Sequence, residues 1–180
     1  MKIGIDLGGS HIEVGLIDEY KIIDKREKNF TDEDRSYIKN VIIDTSVNMI
    51  NELLSVNQIS KDSIDLVGIA SPGIISEKVI IKAKNLGLEG FRFCDELEKR
   101  IGIKTTIRND AKCAGLAEKE YGSLREYKDA VFVGIGTGIG GAVFLNDKLL
   151  KPKEYEGFEI GHMIIETNGR VCTCRKKGML

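Results

Sequence analysis

No apolar stretch of this 180-residue sequence approaches the length of a bilayer span; the longest, such as Ala130–Ile135, are strand-sized. The start of the chain has no signal-peptide core, because Ile3-Gly4-Ile5 runs straight into Asp6. Positive charge is not in excess. The formal net charge is −1, and the one basic run, Arg175-Lys176-Lys177, is short and reads as a solvated tail, which excludes a nucleic-acid footprint. Internal repeats, low-complexity tracts and Pro/Ser-rich linkers are missing too. Cysteine is scarce: Cys94, Cys113, Cys172 and Cys174 are the four, and without an export signal no disulfide framework is expected. These absences leave a cytoplasmic globular protein with no membrane and no nucleic-acid partner. Its 42% hydrophobic and 31% charged residues suit that class, and its length allows one medium domain or two small ones.

What is present is a series of short apolar runs punctuated by glycine turns. Lys2–Leu7 and residues 11–17 read as strands joined by Gly8-Gly9-Ser10, and residues 21–28 as a third. Thr31 before Asp32-Glu33-Asp34 is a helix start. Ile38, Val41, Ile42, Thr45, Met49 and Leu53 then carry a helical period, which predicts one long amphipathic helix to about Ser55. Residues 66–70 and Val79–Ala83 follow as short strands, and Phe93–Ile101 as a helix. Residues 104–108 read as a strand, and residues 111–121 as a helix ending at Gly122. Cys94 and Cys113 fall in helical stretches and read as small buried hydrophobes. Ala130–Ile135 and residues 141–145 form a second glycine-turned strand pair, while residues 159–166 suit a strand or a helix equally. A boundary near Asp110 is expected, separating 1–110 from 111–180.

Two glycine-rich stretches carry chemistry. In Asp6-Leu7-Gly8-Gly9-Ser10-His11, the bare Gly8 and Gly9 let main-chain N–H groups approach an anion, and Ser10 adds a hydroxyl. Asp6, at a strand end, suits a hydrated Mg²⁺ beside phosphates. A plain Gly-Gly hairpin with a solvated Asp explains the segment equally well on its own. The second stretch is Gly134-Ile135-Gly136-Thr137-Gly138-Ile139-Gly140-Gly141, with five glycines in eight residues. Gly136, Gly138 and Gly141 satisfy the dinucleotide fingerprint G-x-G-x-x-G, but that site needs a helix after the glycines. Ala142-Val143-Phe144-Leu145 and then Asn146-Asp147 read as strand and turn instead. No Gly-Lys-Ser/Thr follows, so the Walker A pattern is absent as well.

Two glycine hairpins opening two α/β units resemble the actin-like, hexokinase-type (ribonuclease H-like) ATPase fold, in which such hairpins grip a nucleotide between lobes. Within that α/β fold the sequence resembles the ROK family of bacterial sugar kinases and sugar-responsive repressors. Four ordered stretches carry the resemblance: residues 5–10 (IDLGGS), 68–73 (GIASPG) with 85–87 (NLG), 108–114 (RNDAKCA), and 134–141 followed by 159–162 (EIGH). The resemblance implies ATP-dependent phosphorylation of a hexose, glucose first and N-acetylmannosamine or another hexose next, with ATP and Mg²⁺ as cofactors. It makes Asp110 the general base that takes the proton of the attacking hydroxyl, where an isolated Asp would read as a helix N-cap. Gly73, Asn85, Asn109, Glu159 and His162 match sugar-contacting positions, although Asn85 alone also suits a turn. Asp6, Gly8, Gly9, Ser10, Thr137 and Gly138 match positions at the phosphates and Mg²⁺. The partners implied are a small-molecule sugar and ATP, and a homodimer is compatible with the sequence. Repressors of the family carry a helix-turn-helix ahead of the kinase-like part, whereas a strand starts at Lys2 here, so a regulator is the less favoured reading.

The pattern breaks in two places. Many ROK proteins follow the EIGH histidine with C-x-C-G-x-x-G-C, a zinc site. Here His162, Cys172 and Cys174 supply three ligands and Gly178 the second glycine, but Arg175 replaces the first glycine and Met179 stands in place of the third thiolate. A thioether is a poor zinc ligand, so the alternatives are an incomplete Zn²⁺ site and a pair of thiols. The resemblance also implies further chain after Leu180 to complete the large lobe and adenine pocket. An incomplete second lobe is expected, with a non-catalytic sugar-binding fragment as the alternative to a kinase.

Overall fold

The structure, a computed structural model, describes residues 1–136, 138–151, 159–172 and 174–180. It divides into two compact units, Met1–Asp110 and Ala111–Leu180. No helix among the described residues is long and apolar enough to cross a membrane.

In the first unit, alternation of apolar and polar residues produces a half-buried sheet. Strand β1 (Lys2–Leu7) buries Ile3, Ile5 and Leu7, and β2 (His11–Asp18) buries Ile12, Val14 and Leu16. β3 (Lys21–Asn29) and β4 (Leu66–Ser71) follow, then three short strands, β5 (Ile74–Ser76), β6 (Val79–Ala83) and β7 (Leu88–Phe91), and finally β8 (Thr105–Asn109). The large sheet has the order β3-β2-β1-β4-β8. Tight turns make β1, β2 and β3 antiparallel, while the longer connections before β4 and β8 return the chain parallel to β1. That order and polarity are those of the expected ribonuclease H-like fold. The three short strands make a separate antiparallel sheet; β5 and β7 escape a periodicity reading because three or four residues cannot display a period.

Helices α1 (Asp32–Ser36), α2 (Ile38–Val56) and α3 (Phe93–Ile101) complete this unit. α2 buries Ile42, Met49, Ile50 and Leu53 against β2 and β3, and α3 buries Phe93, Leu97 and Ile101 against β8. Each such side chain contributes about 1.5–3 kcal/mol when fully buried. Cys94 is fully buried in α3, and burial pushes its thiol up to about 12, an inert hydrophobe as expected. The single long helix predicted from Thr31 is a correction: the chain breaks at Tyr37, whose backbone leaves the helical region. A capping box between Thr31 and Asp34 winds α1, but α1 buries nothing, so no packing holds it in line with α2.

In the second unit, β9 (Ala130–Ile135), β10 (Ile139–Leu145) and β11 (Lys148–Leu149) form an antiparallel sheet in the order β11-β10-β9. Helix α4 (Asp110–Tyr121) lies so close to one face that a Cβ on Gly115 would sit 2.5 Å from that of Ala142. Cys113 of α4 is half-buried, not fully enclosed. On the opposite face β9 leaves Val131, Val133 and Ile135 exposed. Residues 159–166 resolve into a 3₁₀ turn, Ile160–His162, with Ile164 then bridging to Met179.

Candidate active site

Strands β1, β4 and β8 run parallel and bring Asp6, Ser71 and Asn109 to one end of the large sheet. The carboxyl ends of parallel strands are where open α/β sheets hold ligands. The turn between β1 and β2 stands at that end. Gly8 donates its N–H to the His11 carbonyl at 2.9 Å, and Phe30 donates to the Ser10 carbonyl at 2.8 Å. Among the described residues, the N–H groups of Gly9 and Ser10 donate to no main-chain carbonyl. Successive main-chain N–H groups without carbonyl partners are the donors that anion-binding concavities are built from. The His11 ring lies against Gly8, where a Cβ would stand 2.7 Å from its Cε1.

Asp6 is exposed at the end of β1. Its pKa is raised, first by the surrounding protein and then by the charges of Asp110 and Glu13, with His11 acting in the opposite direction. Asp6 and Asp110 therefore lie within electrostatic reach of each other. Asp110 is the first residue of α4, directly after the last residue of β8, so its carboxylate stands at a helix N-terminus.

Beside these acids is a turn that only glycine can make. Gly73 has φ +92°, and a Cβ there would lie 2.2 Å from the Lys82 carbonyl oxygen. The Gly73 carbonyl accepts a hydrogen bond of 3.1 Å from Nδ2 of Asn109, which is 8% exposed. Asn109 thus ties the end of β8 to the turn after β4. Asn85 sits in a 3₁₀ turn, Lys84–Leu86, and a Cβ on Gly9 would lie 3.4 Å from the Asn85 Cβ. The structure accordingly brings Asp6, Gly8, Gly9, Ser10, Gly73, Asn85, Asn109 and Asp110 into one unit.

The second unit holds the remaining sequence-predicted residues. Gly136 donates to the Gly138 carbonyl at 2.9 Å, and Ile135 pairs with Ile139, so the second glycine stretch is a β-hairpin and not the entrance to a helix. Thr137 lies outside the described residues. The EIGH segment packs on the start of β10, since a Cβ on Gly161 would meet the Ile139 carbonyl oxygen at 2.2 Å. Glu159 precedes that turn, and its carbonyl accepts the His162 N–H at 2.9 Å. Donor atoms of His162, Cys172 and Cys174 lie within 4.8 Å of one another. Roughly 3.5–3.8 Å would separate them around a tetrahedral zinc with ordinary bond lengths, so these residues fit three of four ligand positions after a small closure. Met179 does not complete the set with a thiolate. Two left-handed residues shape this knuckle, Arg175 at φ +73° and Gly178 at φ +76°.

One residue that sequence reasoning passed over is Lys112. Its side chain is buried in α4, and Nζ donates to the Gly141 carbonyl of the second hairpin. A lysine between Ala111 and Cys113 gives no periodic signal, so only packing reveals it.

The model of the ROK family matches residues 2–180. This chain belongs to the ROK family. Glucokinase of Thermotoga maritima is 34% identical over 99% of the chain, which covers 55% of that enzyme. Xylose repressor of Bacillus subtilis is 26% identical over 98% of the chain, covering 46% of the repressor. Among solved structures, the ROK glucokinase of Streptomyces griseus in complex with glucose and AMPPNP superposes with a TM-score of 0.80 at 25% identity, over 99% of this chain and 55% of that one. The ROK chain described here spans about half the length of the relatives it matches.

Proposed function

We propose that the chain carries the hydroxyl-activating and phosphate-gripping part of an ATP-dependent hexose kinase, with glucose the first candidate and N-acetylmannosamine the second. The observation that supports this most is the convergence of Asp6, the open Gly9-Ser10 N–H pair and the Asn109-Asp110 corner at the carboxyl end of three parallel strands. Asp110 accepts the proton of the hexose hydroxyl that attacks the γ-phosphate, a role suited to a carboxylate at a helix N-terminus. Asn109 and Gly73 shape the wall of the pocket, and Asn85 reads a hydroxyl beside it. Gly9 and Ser10 aim N–H donors at phosphate oxygens, and Asp6 holds a hydrated cation. Bound Mg²⁺ supplies charge neutralisation on the phosphates, while the protein's share is positioning and electrostatics.

A panel of hexoses with an ATP-consumption readout, run on the 180-residue chain and on the longest available version, tests the proposal. Hexose-dependent ATP consumption by the longer version supports it. Hexose binding without consumption favours the second reading, a sugar-binding protein without phosphoryl transfer, to which the similarity to xylose repressors gives weight.

A further inference from the structure

The short helix α1 has no place in the core, because none of its residues is buried. It is nonetheless tightly specified. The Thr31–Asp34 capping box winds it, with Asp34 N–H to Thr31 Oγ1 at 3.2 Å and Thr31 N–H to Asp34 Oδ2 at 3.0 Å. Lys28 at the end of β3 pairs with Asp34 at 3.0 Å, and the break at Tyr37 frees the helix from the direction of α2. What this arrangement presents is Arg35. Its Nη2 donates to the Gly9 carbonyl at 3.2 Å, and its Nη1 donates to the Asn85 carbonyl at 3.3 Å. One guanidinium thereby bridges the first phosphate turn and the loop of the candidate hexose contact, two segments that already touch at Gly9 and Asn85.

We propose that Arg35 is a positioning residue that holds the Gly8-Gly9-Ser10 turn and the Asn85 loop in fixed register. The planar fork of guanidinium suits this task, since it directs two N–H groups at two carbonyls; an ammonium is a single point of charge. Fixing both carbonyls orients the Gly9 and Ser10 N–H groups and the Asn85 side chain together. The consequence for ligands rests on the hexose-kinase reading: a loop ordered by the first ligand is already ordered for the second, so each should strengthen binding of the other.

The test uses the 180-residue chain and its Arg35→Ala and Arg35→Lys variants. Without any ligand, amide hydrogen exchange is followed at Gly8, whose N–H donates to the His11 carbonyl, and at Gly87, whose N–H donates to the Lys84 carbonyl. Loss of the bridge should speed exchange in both loops on the order of tenfold in Arg35→Ala, with the melting temperature nearly unchanged because α1 buries nothing. Arg35→Lys should slow exchange back in one loop at most. Restoration of both loops by lysine, or faster exchange confined to one loop in Arg35→Ala, overturns the bridge. Calorimetric titration of glucose with and without AMPPNP, on the longest available version and its Arg35→Ala variant, then reads the coupling. In wild type each ligand should tighten the other, and in Arg35→Ala the two should bind independently. A longest version that binds neither ligand would sink the hexose-kinase reading, while the exchange data still decide whether Arg35 bridges the loops.

Discussion

Asn109 donates its side-chain amide to the carbonyl of Gly73 across 3.1 Å, joining the end of β8 to the turn after β4. Both partners are intolerant of change for different reasons. Asn109→Ala leaves the carbonyl without this donor in a mostly buried place and should lower stability by about 1–3 kcal/mol. Gly73→Ala forces a Cβ toward the Lys82 carbonyl oxygen from a left-handed backbone and should cost more than Asn109→Ala. Urea midpoints of the two variants, read at constant m-value, check both the direction and the ranking.

The position of Asp110 yields a kinetic prediction for the longest version of the protein. If its carboxylate takes the hydroxyl proton, Asp110→Asn should lower kcat on the order of 10²–10⁴-fold with little change in glucose affinity. Turnover close to wild type would remove Asp110 from the proton transfer.

Asp6 gives a prediction about pH. Its folded pKa is raised, so its ionised form is less favourable in the folded chain than in the unfolded one. The unfavourable contribution is fully present above the raised pKa and fades as pH falls through it toward the ordinary carboxylate value. Asp6→Asn should therefore raise the melting temperature of the ligand-free chain at pH 7. The gain should shrink on acidification as the carboxyl takes up its proton, and it should be modest throughout, because Asp6 is exposed and water screens its neighbours. A fall in melting temperature at pH 7 would contradict the sign.

Arg175 occupies the left-handed region at φ +73°, in the position where the ROK pattern has glycine. An L-residue pays about 1–2 kcal/mol there, and glycine returns part of that gain through its freer unfolded chain. Arg175→Gly should stabilise the knuckle by up to about 1 kcal/mol. Slower amide exchange at Cys172, whose N–H donates to the Lys176 carbonyl at 2.8 Å, would register it.

Much of the first unit was legible because each strand of its large sheet has one buried face. Ile3, Ile5 and Leu7 alternate with polar or glycine positions, and that alternation placed β1 without ambiguity. The Asn109-Asp110 corner was legible as a strand giving way to a helix. The split at Tyr37 was not, because the apolar period begins only at Ile38 and says nothing about the turn before it. Arg35 looked like any charged helix surface residue; its meaning lies in two main-chain carbonyls distant in sequence. The same holds for Lys112, whose partner Gly141 belongs to a strand.

The exposed row of Val131, Val133 and Ile135 sets how the chain must be handled in solution. Within the described residues β9 is the outer strand of its sheet, so an apolar stripe runs along a sheet edge. Such an edge templates strand addition from a neighbouring molecule, and its β-branched side chains carry no charge to discourage it. Light scattering should therefore rise steeply with protein concentration. Val133→Lys, which places a repelling cation in the middle of the stripe, should flatten that rise while leaving the first unit's fold intact.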